Sequence, residues 1–395
     1  MAAIKDSVHD YIEVDGVAAD LLDTPHVQRL RQIKQLSTVR LVYPSANHTR
    51  FEHSLGVYHL ACRALDHLDV TGARASAVRA AALLHDVGHG PYGHQTEGII
   101  QRRTGRHHDD VGPLLADGPI GDVLRDHGLD PSHVAALVRG DGRLGQLVAG
   151  ELDVDRMDYL ARDAHHTGVP YGTIDHGRLL RALQFVDRDL VLADGNVQTA
   201  ESMLVARALM NGAVYRHHVS RITGALLERG SERLLDETDL AIETFARMTD
   251  DELLAALRAH PATEDVARRI AERDLYKRTI WAERDAVPDA IVAASHDEIR
   301  DLETEIAQAA DAESRPSLEI QPRDVVIDNP GTPSMPESST RVVVNGEVRR
   351  LHEESPLVRG MQEAQKVQWR FGVYAPEEHV DTVANAAERV LGLDR

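Results

Sequence analysis

At 395 residues with one cysteine, the chain is long enough to bury a large core, and it excludes both an intrachain disulfide framework and a cysteine-based zinc site. Against 44 basic residues stand 64 acidic ones, a formal net charge of −20 that argues against a general nucleic-acid or membrane-surface role, since a polyanionic partner needs a basic footprint. No apolar run reaches the roughly 18 residues of a membrane span, and the N-terminus lacks a basic-then-apolar leader pattern, so the reading is a cytoplasmic protein.

Only four of the basic residues are lysine: Lys5, Lys34, Lys277 and Lys366. Scarce lysine beside abundant Asp, Glu and Ala suggests a halophilic setting, where molar salt screens surface repulsion within roughly 3 Å. Residues 1–20 give short strand-like pieces, among them Tyr11-Ile12-Glu13-Val14, and a glycine turn. Asp23-Thr24-Pro25 starts a helix, because proline suits the first helical position, and Val27, Leu30 and Ile33 follow at helical spacing. The next helix opens on Thr49-Arg50-Phe51-Glu52, a capping box in which Thr49 takes the amide at Glu52 and Glu52 reaches back. Phe51, Leu55, Cys62 and Leu65 form its buried stripe, which places His53 in the first turn.

The stretch from Ala80 to His94 carries the first chemistry. An apolar helical run, Ala80 to Leu84, delivers an adjacent His85-Asp86 pair to its C-terminal end. Gly88, Gly90 and Pro91 are expected to stop the helix, through a left-handed residue and a missing amide. One carboxylate and one imidazole at a helix end can share a divalent metal, although a polar helix end with satisfied histidines gives the same dipeptide.

Helices are expected over about 75–86, 94–103, 107–116, 131–139 and 152–163, a hairpin over 185–194, one long helix over about 199–228, and helical segments to about 313. Composition shifts at Ser314-Arg315-Pro316. Beyond it Val325–Ile327, Arg341–Val348 and Trp369–Tyr374 read as strands, with Asn345-Gly346 as a two-residue hairpin turn. Asn329–Ser339, rich in Pro and Ser, reads as a mobile loop, and a last amphipathic helix covers 377–392. The fold expected is mainly α: a helical lobe over 1–315, its metal-site core over about 48–165, and a small α+β C-terminal lobe over 316–395.

Two glycine-rich stretches are decoys. Gly88 to Gly93 and Gly140 to Gly145 both satisfy G-x-G-x-x-G, but each follows helical sequence rather than a strand. None of the four lysines follows a glycine, so there is no Walker A loop. In Leu152 to Asp163, by contrast, Asp155, Tyr159 and Asp163 share one helix face with Arg156 alongside, while Val154, Met157 and Ala161 face the core. A solvated acidic face looks the same. Asp158 and Arg162, four apart, read as a surface pair worth a few tenths of a kcal/mol. On the long helix Arg207 and Tyr215 share a face about 12 Å apart, followed by His217 and His218.

Taken jointly, these stretches resemble the HD-domain phosphohydrolase superfamily, and within it the dNTP triphosphohydrolases. The carrying residues are Asp23-Thr24-Pro25 with Gln28-Arg29-Leu30-Arg31 and Gln35-Leu36, then Arg50-Phe51-Glu52-His53 and His85-Asp86-x-Gly88-His89-Gly90-Pro91. Asp153-Val154-Asp155-Arg156-x-Asp158-Tyr159 through Asp163, and Tyr215-x-His217, complete the set. The resemblance covers nearly the whole chain and implies an HD-domain helical lobe that hydrolyses dNTPs to deoxynucleoside and inorganic triphosphate.

By that resemblance His53, His85, Asp86 and Asp155 are the metal ligands, a mixed nitrogen/oxygen set suited to iron, manganese or zinc, with Mg²⁺ or Mn²⁺ accompanying the triphosphate. His89, His94 and His108 match active-site histidines, with His94 or His108 as general acid and Glu97 orienting a histidine. Arg50, Arg156 and Arg207 correspond to phosphate-binding cations. Arg156 stands where the family has lysine, so a planar bidentate contact replaces a point charge. Gln35 and Asp163 are implied at the 3′-hydroxyl, Tyr159 near sugar and phosphates, and Tyr215 with Leu36 against a ribose 2′-hydroxyl. Asp23, Gln28 and Arg31 match guanine-reading residues of an activator site, although Asp23 also suits a helix N-cap, and Arg178 corresponds to an activator-phosphate residue; the hairpin at 188–194 lacks the expected basic pair. An activating nucleotide and a homo-oligomer, dimer or tetramer, are thereby implied. Two rivals stand beside this reading: an HD phosphodiesterase or nucleotidase acting on another nucleotide, and a nucleotide-sensing scaffold with a vestigial site.

Overall fold

The computed structural model describes residues 2–314, 319–332 and 335–393. The chain is mainly helical, with a small C-terminal sheet region. Its N-terminus is a hairpin of β1 (Ala2–Asp6) and β2 (Asp10–Val14), turned by Asp6, whose Oδ1 accepts the N–H groups of Val8 and His9 at 2.9 and 2.8 Å. The glycine turn expected next is instead the start of a short helix, Gly16–Leu22, which buries Val17, Ala18, Leu21 and Leu22. Asp23 closes that helix, and Thr24, not Asp23, occupies the N-cap of the following helix Pro25–Arg29.

Helix Arg50–His67 begins with both halves of the capping box formed. It packs between helices Gly72–Leu84 and Val154–Thr167, and the three carry the largest core. The alanine-rich Gly72 helix allows close packing and stops at Leu84, with His85 at its C-cap. The left-handed residues of the turn that follows are Tyr92 and Gly93, φ 57° and 53°, rather than Gly88 or Gly90. Space explains Gly88, since a Cβ there would lie 1.8 Å from the carbonyl oxygen of His108.

The helix expected over 107–116 forms only at Gly112–Ala116, and Gly118–Asp126 forms another; Pro113 and Pro119 each set a new first turn. Residues 107–111 stay a turn that lays His108 over Gly88. Helices His94–Thr104 and Pro131–Val138 agree with expectation, and Val154–Thr167 runs on to a left-handed Gly168. The long helix is broken. Val197–Met210 passes into a π-type turn, Asn211–Tyr215, before His218–Glu237 resumes. Asn211-Gly212 is poor helix sequence, and wide turns of this kind cluster at functional sites.

The hairpin at 185–194 is β3 (Leu183–Val186) and β4 (Asp189–Leu192). An unanticipated strand, β5 (Lys277–Glu283), lies within the segment read as helical; its Thr279-Ile280-Trp281 favours a half-buried sheet surface. After β6 (Val326–Asp328), β7 (Arg341–Val344) and β8 (Glu347–Arg350) turn through Asn345-Gly346, both at positive φ as a two-residue hairpin demands. β9 (Arg370–Ala375) lies between β5 and β6, and β7 pairs with β4. Residues 315–318 lie outside the described residues; the four-stranded sheet and the three-stranded sheet each draw strands from either side of them. Helix Pro356–Gln368 forms where no element is expected, whereas the final helix, Val380–Leu391, agrees with expectation and packs on His296–Glu313. Of the loop Asn329–Ser339, residues 333–334 lie outside the described residues and Pro336–Ser339 forms a 3-10 turn. Among the described residues, no helix is long and apolar enough to cross a membrane.

Candidate active site

Three segments bring four side chains to one point. His53 comes from the first turn of the Arg50 helix, His85 and Asp86 follow the end of the Gly72 helix, and Asp155 lies in the first turn of the Val154 helix. His53 Nε2 is 2.8 Å from Asp155 Oδ1 and 3.2 Å from His85 Nε2. His85 Nε2 is 3.5 Å from Asp86 Oδ1 and 3.8 Å from Asp155 Oδ1. Both rings are already engaged at Nδ1, His53 by Asp158 Oδ2 at 2.8 Å and His85 by the carbonyl of Ala82 at 2.9 Å. An acceptor at Nδ1 places a proton there, so Nε2 is the atom each ring turns toward the other ring and the carboxylates.

Two carboxylates and two imidazole nitrogens at that range call for positive charge among them. Burial penalises a charged His53, yet Asp155 and Asp158 push its pKa up to about 10. Burial would raise the Asp86 carboxyl, but Arg50, His85 and His89 hold it well below the usual carboxylate range. The donor set therefore fits a divalent cation, and Asp155, 33% exposed, marks the open side.

Asp158 and Arg162 are not the surface pair their spacing suggested. Both side chains are fully buried, with Arg162 Nε donating to Asp158 Oδ2 at 2.8 Å and Arg162 Nη1 to Asp6 Oδ2 at 2.8 Å. The spacing only says that two residues share a face; the packing of the Arg50 helix decides which face is covered. Gly56 permits that approach, because a Cβ on it would lie 1.9 Å from Asp158 Oδ1. Leu160 rather than Ala161, which is half-buried, completes the core stripe with Val154 and Met157.

Beside the ligands, Arg50 Nη1 donates to Asp86 Oδ2 at 2.8 Å, and its buried Nε has no hydrogen-bond partner among the described residues. His89 Nε2 is 3.3 Å from Asp86 Oδ1, and its ring stacks on His108 at 4.0 Å between centroids. Burial, Arg50 and His108 hold the His89 pKa well below its ordinary value, so this ring is neutral. Glu97 bridges the other two histidines, one oxygen 2.6 Å from His94 Nδ1 and the other bonded to the His108 ring. Burial works against a charged His108, but Glu97 raises its pKa; Glu97 itself, despite burial, is held well below the carboxylate range by His108 and His94. His94 is the accessible member, with 66% of its side chain exposed.

At the far end of the Val154 helix, Tyr215 donates its hydroxyl to Asp163 Oδ2 at 2.9 Å and Arg207 Nε donates to the Tyr159 hydroxyl at 3.0 Å. The two tyrosine rings meet edge to face at 6.0 Å. Asp163 Oδ1 is taken by His48 Nε2 at 2.7 Å. The Gln35 backbone N–H donates to the His48 carbonyl, and its side-chain Oε1 is buried without a partner among the described residues, next to half-buried Leu36. Arg156 turns one edge of its guanidinium to its own helix start, Nη1 donating to the carbonyls of Gly150 and Glu151 at 2.6 and 2.9 Å.

Of the four residues matched to an activator site, a hydrogen bond joins Gln28 and Arg31. Gln28 Nε2 donates to the Leu22 carbonyl, Arg31 donates to Gln28 Oε1 and lies over the Phe51 ring, and Asp23 is exposed. Among the described residues, no hydrogen bond or ion pair links Arg178 to these three.

Sequence reasoning missed the groups that hold the site still. Arg29 donates to the carbonyls of His89, Ala246, Arg247 and Met248; Arg247 donates to those of Val87 and Gly88. Asp250 accepts the N–H groups of Lys34 and Tyr92. These partners lie far apart in the chain and bond to backbone, which leaves no local pattern; only Arg29 stood within a quoted motif. His48, holding Asp163, left none either.

The HD domain pattern matches residues 50–163, and the HD associated region matches 174–395. An uncharacterized protein of Methanocaldococcus jannaschii is 32% identical over 392 residues, 96% of this chain and 80% of that protein. The deoxynucleoside triphosphate triphosphohydrolase SAMHD1 of Gallus gallus is 27% identical over 393 residues, 83% of this chain; the chain spans 63% of that relative's length. A solved phosphohydrolase from Bacteroides thetaiotaomicron shares the fold at a TM-score of 0.74 and 27% identity, over 95% of this chain and 100% of that one.

Proposed function

The chain belongs to the HD-domain phosphohydrolase family, and from that membership we propose that it hydrolyses deoxynucleoside triphosphates to deoxynucleoside and inorganic triphosphate. One observation carries the reading. The Val154 helix bears Asp155 among the metal-type donors and, two turns on, Asp163 bonded to Tyr215, so a phosphate end and a sugar end share one rigid element. The naming of SAMHD1 relatives for dNTP triphosphate hydrolysis supports it.

His53, His85, Asp86 and Asp155 would hold a divalent cation, by donor type iron, manganese or zinc. When bound, such a cation supplies Lewis-acid activation of water and neutralises phosphate charge. Arg50, Arg156 and Arg207 bind the triphosphate. As water attacks the α-phosphorus, the bond to the 5′-oxygen breaks and that oxygen takes a proton. We assign its delivery to the Glu97-bridged pair His94 and His108, of which His94 is the accessible ring, with His89 packing neutral behind them. Gln35 and Asp163 hydrogen-bond the 3′-hydroxyl. Tyr215 and Leu36 crowd the 2′ position, and Tyr159 steadies Arg207.

A product assay tests this. The purified chain with Mn²⁺ or Mg²⁺ is incubated with dNTPs, NTPs, cyclic nucleotides and bis-p-nitrophenyl phosphate. Triphosphate released from dNTPs alone supports the reading; pyrophosphate, monophosphate or phosphodiester cleavage would move the chain to the rival nucleotidase or phosphodiesterase. No turnover of any of them would favour the sensing scaffold. Nucleotide activation through Asp23, Gln28, Arg31 and Arg178, and assembly into a dimer or tetramer, belong to the same proposal. Rates and particle mass with and without GTP or dATP test both.

A further inference from the structure

We infer that His9 is a positioning residue for the metal centre, acting through Asp158 on His53, so that the N-terminal hairpin is part of the metal-binding apparatus. The inference rests on the reading of His53, His85, Asp86 and Asp155 as metal ligands.

The geometry is a closed chain of bonds. His53 Nδ1 meets Asp158 Oδ2 at 2.8 Å, and His9 Nε2 meets the other oxygen, Oδ1, at 2.6 Å. The side chains of His9 and Asp158 are 2% and 0% exposed. Arg162 touches both oxygens, Nε to Oδ2 at 2.8 Å and Nη2 to Oδ1 at 3.0 Å. Each carboxylate oxygen thus takes one arginine bond and one histidine bond. An arginine fork alone would leave the carboxylate free to settle on the guanidinium; His9 pulls Oδ1 from the opposite flank and keeps Oδ2 aimed at His53.

The turn between β1 and β2 exists in a form that makes this possible. Asp6 holds the backbone N–H of His9 and also accepts from Arg162, so the same arginine ties the hairpin and Asp158 together. The His9 ring is further fixed by His59 and His176, at 5.0 and 5.6 Å between centroids. A carboxylate behind a ligating imidazole fixes its tautomer and ring angle, and losing such a partner lowers metal affinity about 10- to 100-fold. His9 stands one bond further out, yet it is the group that keeps that carboxylate in place.

The test is Mn²⁺ titration of the metal-free full chain, with free Mn²⁺ read by electron paramagnetic resonance. Four proteins are compared: wild type, His9→Phe, which keeps a buried ring without a donor, His9→Gln, whose amide nitrogen can reach Asp158, and Asp155→Ala. The expected result is about a tenfold or greater loss of affinity for His9→Phe, return to within about threefold for His9→Gln, and a larger loss for Asp155→Ala. His9→Ala replaces His9→Phe if the latter does not fold by circular dichroism. Wild-type affinity in a folded His9→Phe or His9→Ala protein, with Asp155→Ala impaired, overturns the inference. Equal loss in His9→Phe and His9→Gln also overturns it, since packing rather than the donor would then be responsible. Unchanged affinity in Asp155→Ala instead removes the metal-site reading itself.

Discussion

Tyr215 donates its hydroxyl to Asp163 Oδ2 at 2.9 Å, joining the wide turn after the Val197 helix to the end of the Val154 helix. The bond makes the tyrosine ring a fixed wall instead of a mobile flap. Tyr215→Phe keeps the wall and loses the bond, so dNTP hydrolysis should fall roughly tenfold with deoxy preference retained. Tyr215→Ala removes the wall, and the dATP-to-ATP ratio of kcat/KM should drop by roughly 10- to 100-fold, the scale of a steric pocket contact. An alanine variant that still discriminates as sharply would show that another group excludes the 2′-hydroxyl.

The Glu97 bridge sets a pH dependence. A group needed in its protonated form gives activity that is present below its pKa and lost as pH rises through it. Glu97 raises the His108 pKa, so an alkaline limb of kcat/KM set by His108 lies above that of an ordinary histidine. Glu97→Gln removes the carboxylate charge, and the limb should move to lower pH. A pH–rate profile that does not move would detach Glu97 from proton delivery.

The buried pair makes a stability prediction of the opposite size to a surface pair. Arg162→Met leaves the buried carboxylates of Asp158 and Asp6 without their cation and should cost about 3–5 kcal/mol in urea unfolding, against a few tenths for an exposed pair. Gly56→Ala should cost about 2 kcal/mol by overpacking, because the new methyl would collide with Asp158.

Metal removal should be visible in melting curves. A ligand present at about 100 times its dissociation constant stabilises the folded state by about 2.7 kcal/mol. Chelation should therefore lower the Tm of the wild-type chain and leave the His85→Ala plus Asp86→Ala double variant unmoved. That double variant should also lose turnover while keeping its helical circular dichroism. If it melts and turns over like the wild type, the centre lies elsewhere.

Local pattern was enough for much of this protein. The capping box at Thr49–Glu52, the end of an apolar helix before His85-Asp86, the shared face of Asp155, Tyr159 and Asp163, and the Asn345-Gly346 hairpin are all short-range, since capping, helical period and turn chemistry act within a few residues. Only the tertiary structure decided what those faces touch. It buried Asp158 and Arg162 because the Arg50 helix closes on them at Gly56, and drew β5 out of a helical stretch because β9 offers it an edge. Burial and pairing depend on partners 50 to several hundred residues away, and spacing along the chain carries no record of them.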